Sequence, residues 1–183
     1  MIEIAQFASP DECRTVIAAY DRCCANAHVY GDPFFDHRVM FITSFPESEI
    51  QTRRIMQRWR DRETIAATEA ARQQMYPDTI QIVRWTTEAM SPHQDDRHPD
   101  GSPNATPWRE WAGVIYLNDD YEGGRIYFPE TNEYYQPVAG SLVLFTAETR
   151  HGVEATRGGA RYTSPAWFTR NPAHQDPLVG VVF

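Results

Sequence analysis

The chain has 183 residues, of which 42% are hydrophobic, and its 17 basic and 25 acidic side chains leave a net charge of −8. A chain of this length can bury about 70% of its unfolded surface, so neither a wholly disordered chain nor a small disulfide-stapled scaffold is expected. The acidic balance argues against broad phosphate contacts and therefore against a nucleic-acid partner.

The three cysteines are Cys13, Cys23 and Cys24. An odd count with two adjacent members fits neither a disulfide framework nor a CxxC metal knuckle, and reads as reduced thiols in a cytoplasmic protein. The N-terminal MIEIAQFASPDEC carries Glu3 and lacks a basic segment followed by a long apolar run, so it does not read as a secretory signal. The longest apolar stretches, Ala112 to Leu117 and Leu142 to Phe145, fall far short of the ~18 residues of a membrane span, and no membrane partner is expected.

In chain order, Ser9 and Glu12 form a capping box with Pro10 at the first helical position. Cys13, Val16, Ile17, Tyr20 and Cys24 then recur at helical spacing. Gly31, Asp32 and Pro33 mark a break before a short strand around Val39 to Thr43. A second helix is expected from about Ser48 to Gln74, with Ile55, Trp59, Ala66 and Ala70 as its apolar stripe and Pro77 ending it. The character then changes. Thr79 to Thr86 (TIQIVRWT) is rich in β-branched and aromatic residues and reads as a strand. Further strands are expected near 111–118, 125–128, 134–137, 141–146, 152–155 and 160–168, separated by Asp119-Asp120, Gly123-Gly124, Ala139-Gly140 and Gly158-Gly159. Short strands with regular turns predict a sandwich or jelly roll. The polar segment 95–107 (DDRHPDGSPNATP) reads as a mobile loop, and its residues 96–107, with Trp108 and Trp111 behind them, as a candidate lid.

The chemistry centres on His93-Gln94-Asp95. In extended chain, residues i and i+2 point to the same side, so an imidazole and a carboxylate can converge on one point. His151, after the strand SLVLFT, is the candidate third ligand. Two histidines and one carboxylate leave the opposite face of an octahedral metal open, as in non-haem Fe(II) oxygenases. The bland reading of HxD alone is a solvated loop entry. A Zn site through His98 can also be drawn from HQDDRH, but no strand fixes His98. Arg161 lies ten residues after His151 at the start of RYTSPAWF. A forked, permanently charged donor there suits a carboxylate in a partly buried pocket.

From about Gln81 to Phe168 the chain resembles the Fe(II)/2-oxoglutarate-dependent oxygenases of the prolyl 4-hydroxylase type. The blocks that carry the likeness are QIVRW…HQD, VIYLNDDYEGGRIYFPE, QPVAGSLVLF and RHGVEATRGGARYTSPAWF. The resemblance implies a double-stranded β-helix, a cupin-like jelly roll buttressed by α-helices. It divides one oxygenase domain over 1–183 into helical support (1–78) and a jelly-roll core (79–183). His93, Asp95 and His151 match the iron ligands, and Arg161 and Tyr116 match residues that hold the distal carboxylate of 2-oxoglutarate. Val153 and Trp167 match pocket walls, with core packing as the alternative for Tyr116, Val153 and Trp167 alike. Trp85 stands where the family usually has a tyrosine near the cosubstrate, and an indole can donate but not accept a hydrogen bond. Arg125 follows the Gly-Gly pair, where glutamate or an apolar residue is common. Asp95 is retained where a halogenating relative has Gly or Ala.

The activity implied is hydroxylation of a C–H bond in an amino acid, a peptidyl prolyl-like residue or a small natural product. Fe(II), 2-oxoglutarate and O₂ take part, with ascorbate as a candidate stimulant, and succinate and CO₂ are released. Desaturation, cyclisation or epoxidation with the same cofactors, and a non-oxidative cupin-like module, are the alternatives. Arg84, Arg97, Arg109 and Arg125 are candidate substrate contacts.

Overall fold

The computed structural model describes residues 1–28, 38–136 and 138–183. In chain order these form β1 (Ile2–Ile4), α1 (Pro10–Cys23), β2 (Val39–Phe41), α2 (Ile50–Ala71), β3 (Tyr76–Trp85), β4 (Met90–His93), β5 (Trp111–Tyr116) and β6 (Glu122–Gly123). β7 (Ile126–Phe128), β8 (Glu133–Tyr135), β9 (Leu142–Thr146), β10 (His151–Val153), β11 (Thr156–Arg157) and β12 (Arg161–Thr169) follow. The expected break at Gly31, Asp32 and Pro33 lies outside the described residues.

The capping box of α1 is present: Glu12 N–H donates to Ser9 Oγ at 3.2 Å, and Ser9 N–H donates to a Glu12 carboxylate oxygen at 3.0 Å. Ser9→Ala should therefore destabilise the chain by about 1 kcal/mol. A urea midpoint identical to wild type would show that the cap does not stabilise α1. The second helix is shorter at both ends than its polar spacing predicted. Arg72, in the left-handed conformation (φ 52°), closes it, and Pro77 lies inside β3 instead of ending the helix. Its buried face runs through Ile55, Met56, Trp59, Glu63 and Ala67, with Ala66 only partly buried.

All strand pairings among the described residues are antiparallel. A six-stranded sheet has the order β1-β9-β5-β12-β3-β2, a four-stranded sheet β4-β10-β7-β8, and β11 pairs with β6. Period-two alternation makes the central strands two-sided. Ile115, Leu142, Leu144, Tyr162, Ala166 and Phe168 pack against Val16, Tyr20, Ile55 and Trp59 of the helices. From the opposite face, Ala112, Tyr116, Val143 and Phe145 join Ile126, Phe128 and Tyr135 of the smaller sheet. Phe128 meets Phe145 edge-on with ring centroids 5.7 Å apart. The molecule is thus layered helix, sheet, sheet, and the space between the sheets is open to residues from both. Among the described residues, no helix is long and apolar enough to cross a membrane.

Candidate active site

β4 and β10 bring the histidines together, because His151 and His93 are register partners across an antiparallel pair. Their ring centroids are 4.4 Å apart, and the His151 ring also packs on Phe145 at 4.6 Å. Asp95, two residues past His93, completes the group: one donor atom from each of His93, Asp95 and His151 lies within 4.8 Å of the others. His98 is not part of it. Each histidine has Nδ1 3.0 Å from a backbone carbonyl, Ser91 O for His93 and Thr149 O for His151. A carbonyl only accepts, so Nδ1 carries a proton and Nε2 is the atom each neutral imidazole can offer a metal. Asp95 N–H donates to Ala147 O at 2.9 Å, tying the Asp95 backbone to the turn that leads into His151.

The electrostatics suit a cation. Burial pushes the Asp95 carboxyl up, but the His93 imidazole, with Nε2 3.6 Å from Asp95 Oδ1, and the positive charge either histidine carries when protonated outweigh it and hold the group below its ordinary value. Burial lowers His151 and keeps it neutral, while the Asp95 carboxylate raises His93 against the same effect of burial. An ionised Asp95 and a neutral His151 are the ligating forms, and a metal has to displace a proton mainly at His93.

Arg161 opens β12 and points into the inter-sheet space. It is only 3% exposed, its Nε is buried without a hydrogen-bond partner, and no ion pair among the described residues reaches it. The hydroxyls of Tyr116, Tyr121 and Thr156 are likewise buried and unpartnered. The Arg161 guanidinium lies over the Tyr116 ring at 5.3 Å. Gly124 (φ 63°) is the floor of the cradle: a Cβ there would lie 2.9 Å from the Tyr121 ring, 3.0 Å from Arg161 Cδ and 3.2 Å from Thr156 Oγ1. Gly123 (φ 71°) lets the same turn pass close to Ala155, whose carbonyl oxygen would be 2.2 Å from a Cβ. Burial pushes the Tyr121 hydroxyl up to about 12 and the Tyr116 hydroxyl above its usual value, so both remain donors at neutral pH. Several buried donors that face one another and, among the described residues, no carboxylate are suited to take up a carboxylate.

The other expected wall residues are also placed between the sheets. Trp85 is buried and is the register partner of Arg161, and Val153 is buried on β10 opposite Ile126. Trp167 is partly buried and packs against the inter-sheet cluster. Tyr121 and Thr156 were missed in the sequence; the only cue was the Gly-Gly turn that follows Tyr121. The arginines expected at the mouth have other partners. Arg84 lies on the helix-side face over Tyr162, Arg97 pairs with Asp96, Arg125 pairs with Glu154 at 2.7 Å, and Arg109 pairs with Asp78 at 2.7 Å while covering Trp167. Trp108 stacks on His174 at 4.0 Å, and Trp111 packs in the helix-side core.

A His-Asp-His set that could hold a metal ion with one face left open, and buried donors suited to a carboxylate, share the space between two facing sheets. Residues 80–169, 90 of the 183, match the family model described as the 2OG-Fe(II) oxygenase superfamily. The human protein "Prolyl 3-hydroxylase 3" is 37% identical over 81 residues, 40% of this chain. This chain covers 11% of the length of that relative. Among solved structures, the viral collagen prolyl hydroxylase of Paramecium Bursaria Chlorella virus-1 in complex with 2OG superposes with TM-score 0.67 at 18% identity, over 93% of this chain and 95% of that one. A Pseudomonas putida prolyl-4-hydroxylase superposes with TM-score 0.65 at 20% identity, over 93% and 92%. These likenesses establish the double-stranded β-helix expected from the sequence.

Proposed function

We propose that this chain is an Fe(II)- and 2-oxoglutarate-dependent dioxygenase that hydroxylates an unactivated C–H bond, with release of succinate and CO₂. The observation that carries this reading is the buried Arg161 cradle, with no protein carboxylate opposite it among the described residues, in the same inter-sheet space as a complete His-Asp-His set. Each half of that pair is uncommon, and the cosubstrate needs both. His93, Asp95 and His151 hold the iron, which when bound supplies the redox chemistry that couples decarboxylation of the keto acid to oxidation of a C–H bond. Arg161, Tyr116, Tyr121 and Thr156 bind and orient the distal carboxylate. Trp85, Val153 and Trp167 wall the cosubstrate and exclude water from it. The iron ligands are oriented in turn by the Ser91 and Thr149 carbonyls.

The substrate is a peptidyl prolyl-like residue, a free amino acid or a small natural product, and the names of the relatives support trying prolyl peptides first. Residues 1–183 act as one oxygenase unit: Trp59 and Ile55 of α2 share a core with β5, β9 and β12, so the helices stiffen the sheet that carries Tyr116 and Arg161. All three cysteines are free, which supports a reducing, cytoplasmic setting.

Purified chain given Fe(II), ascorbate, 2-oxoglutarate and a proline-rich peptide should release succinate together with a product one oxygen atom heavier. Folded, iron-loaded protein that neither consumes nor binds 2-oxoglutarate would refute the reading. Succinate without peptide oxidation would keep the chemistry and move the substrate to another class.

A further inference from the structure

The segment after Asp95 has the composition of a lid, but its hydrogen bonds are those of a fixed brace. His98 N–H donates to Ser102 O at 2.8 Å and Gly101 N–H to His98 O at 2.9 Å, while Ser102 donates to Asp100 through both N–H and hydroxyl at 2.9 and 2.6 Å. Arg97 and Pro103 face each other in an isolated bridge. The closed hairpin then returns to its own origin. Asn104 Nδ2 donates to the backbone carbonyl of Asp95 at 3.0 Å, and Thr106 Oγ1 donates to the same oxygen at 3.2 Å. Asn104 is itself held, because its Oδ1 accepts from Thr106 N–H at 2.8 Å.

On the other side of Asp95, its N–H donates to Ala147 O at 2.9 Å and the Gln94 side chain donates to Glu148 O at 2.7 Å. The peptide groups flanking Asp95 are therefore both clamped, one to the turn that leads into His151 and one to Asn104 and Thr106. Two donors on one carbonyl fix the Asp95 ψ angle and with it the position of Cα. The carboxylate has only two torsions beyond that point.

We propose that Asn104 and Thr106 are positioning residues of the metal centre, holding the Asp95 backbone so that its carboxylate is pre-aimed at the point where His93 and His151 converge. This rests on the reading of Asp95 as a metal ligand. Neither residue touches the metal. They act through Asp95, as the partners that orient ligands in metal sites do.

Co(II) alone is the probe, titrated into metal-free protein by calorimetry and by its visible absorption. Thr106→Val, nearly isosteric and lacking the hydroxyl, should weaken Co(II) binding about tenfold, the low end of what losing such a partner costs. Asn104→Ala should do the same, and Thr106→Ser, which keeps the donor, should bind close to wild type. Near-UV circular dichroism from Trp108 and Trp111, beside the loop, reports folding. Should Asn104→Ala lose that signal, Thr106→Val and Thr106→Ser decide the matter. Thr106→Val binding Co(II) as wild type, or Thr106→Ser binding as weakly as Thr106→Val, overturns the proposal. Asp95→Ala separates the two levels. If Asp95→Ala loses Co(II) while Thr106→Val does not, the metal reading stands and the brace falls; if Asp95→Ala binds normally, both fall.

Discussion

Arg161→Met should raise the apparent KM for 2-oxoglutarate by about 30-fold to about 4000-fold while making the cosubstrate-free chain more stable. The first effect follows from truncating one side of a buried, hydrogen-bonded charge pair, which costs about 2–5 kcal/mol, at about 1.4 kcal/mol per factor of ten. The second follows from what Arg161 faces in the protein itself. Its guanidinium is 3% exposed, its Nε has no partner, and its neighbours Tyr116, Tyr121 and Thr156 present hydroxyls that are themselves unsatisfied. A buried cation without a counter-charge is destabilising, and an apolar side chain of similar length removes that cost, by on the order of 1–3 kcal/mol. Binding and stability should therefore move in opposite directions. Arg161→Lys should fall between: it keeps the charge but loses the planar fork, so cosubstrate binding is weakened and not abolished. Direct 2-oxoglutarate binding, measured with thermal unfolding in its presence and absence, checks both halves. An unchanged dissociation constant would put the cosubstrate elsewhere. A chain destabilised by Arg161→Met would show that protein acceptors already satisfy the guanidinium.

What the sequence revealed, and what it hid, divides along the range of the interaction. The α1 start was legible because a capping box is satisfied within four residues. His93, Asp95 and His151 were legible because alternation puts His93 and Asp95 on one side and a strand end presents His151. Long-range register was not. β4 contains Ser91 and Pro92 and has no strand propensity of its own; it pairs as the edge of the smaller sheet, where a proline is tolerated. Pro77 reads as a helix stop but lies near the start of β3, opposite Phe168 beside a register shift. β1 spans only Ile2–Ile4 and exists because β9 offers it an edge. Tyr121 and Thr156 come from two strands, β6 and β11 or the turns beside them, that meet only in the folded chain. The misplaced arginine is instructive. Arg84 and Trp85 are neighbours, so once Trp85 points between the sheets Arg84 must face the helices, and period two alone excludes it from the mouth. Segment 96–107 hid its contacts for another reason: Asp, Ser and Asn read as solvated loop residues, while in the fold their side chains hydrogen-bond to Ser102, Thr106 and the Asp95 carbonyl.

Glu63 carries the second large expected effect, on stability, and it too was hidden: a glutamate at a helical apolar position reads as solvated until its surroundings are known. It lies fully buried on α2 with both carboxylate oxygens unpartnered. The site exists because Gly113 of β5 has no side chain. A Cβ there would be 3.1 Å from Glu63 Oε1, 3.1 Å from Leu144 Cδ2 and 3.3 Å from Leu142 Cδ1. Burial pushes the Glu63 carboxyl well above 4.5, against the pull of Arg62, so the folded chain holds it as the neutral acid where the unfolded chain ionises it. A raised folded-state value fixes the direction of the pH effect. The contribution is fully present below about 4.5 and is lost as pH rises through the higher folded-state value, because the unfolded chain releases its proton first. Glu63→Gln removes the titration but keeps a desolvated polar group, so its stability should fall less than wild type between pH 5 and 8. Glu63→Met removes both costs, and should be more stable than wild type at pH 8 by about 1–3 kcal/mol, the cost of an unsatisfied buried polar group. Gly113→Ala, which drives a methyl group against Glu63 and two leucines, should destabilise. Urea unfolding at several pH values decides the matter. Parallel stability curves for wild type and Glu63→Gln would mean that the carboxyl titrates normally, and so that water reaches it between α2 and the sheet. A divergence confined to the range above the ordinary carboxylate value would locate the cost of Glu63 directly beneath the strand that carries Tyr116.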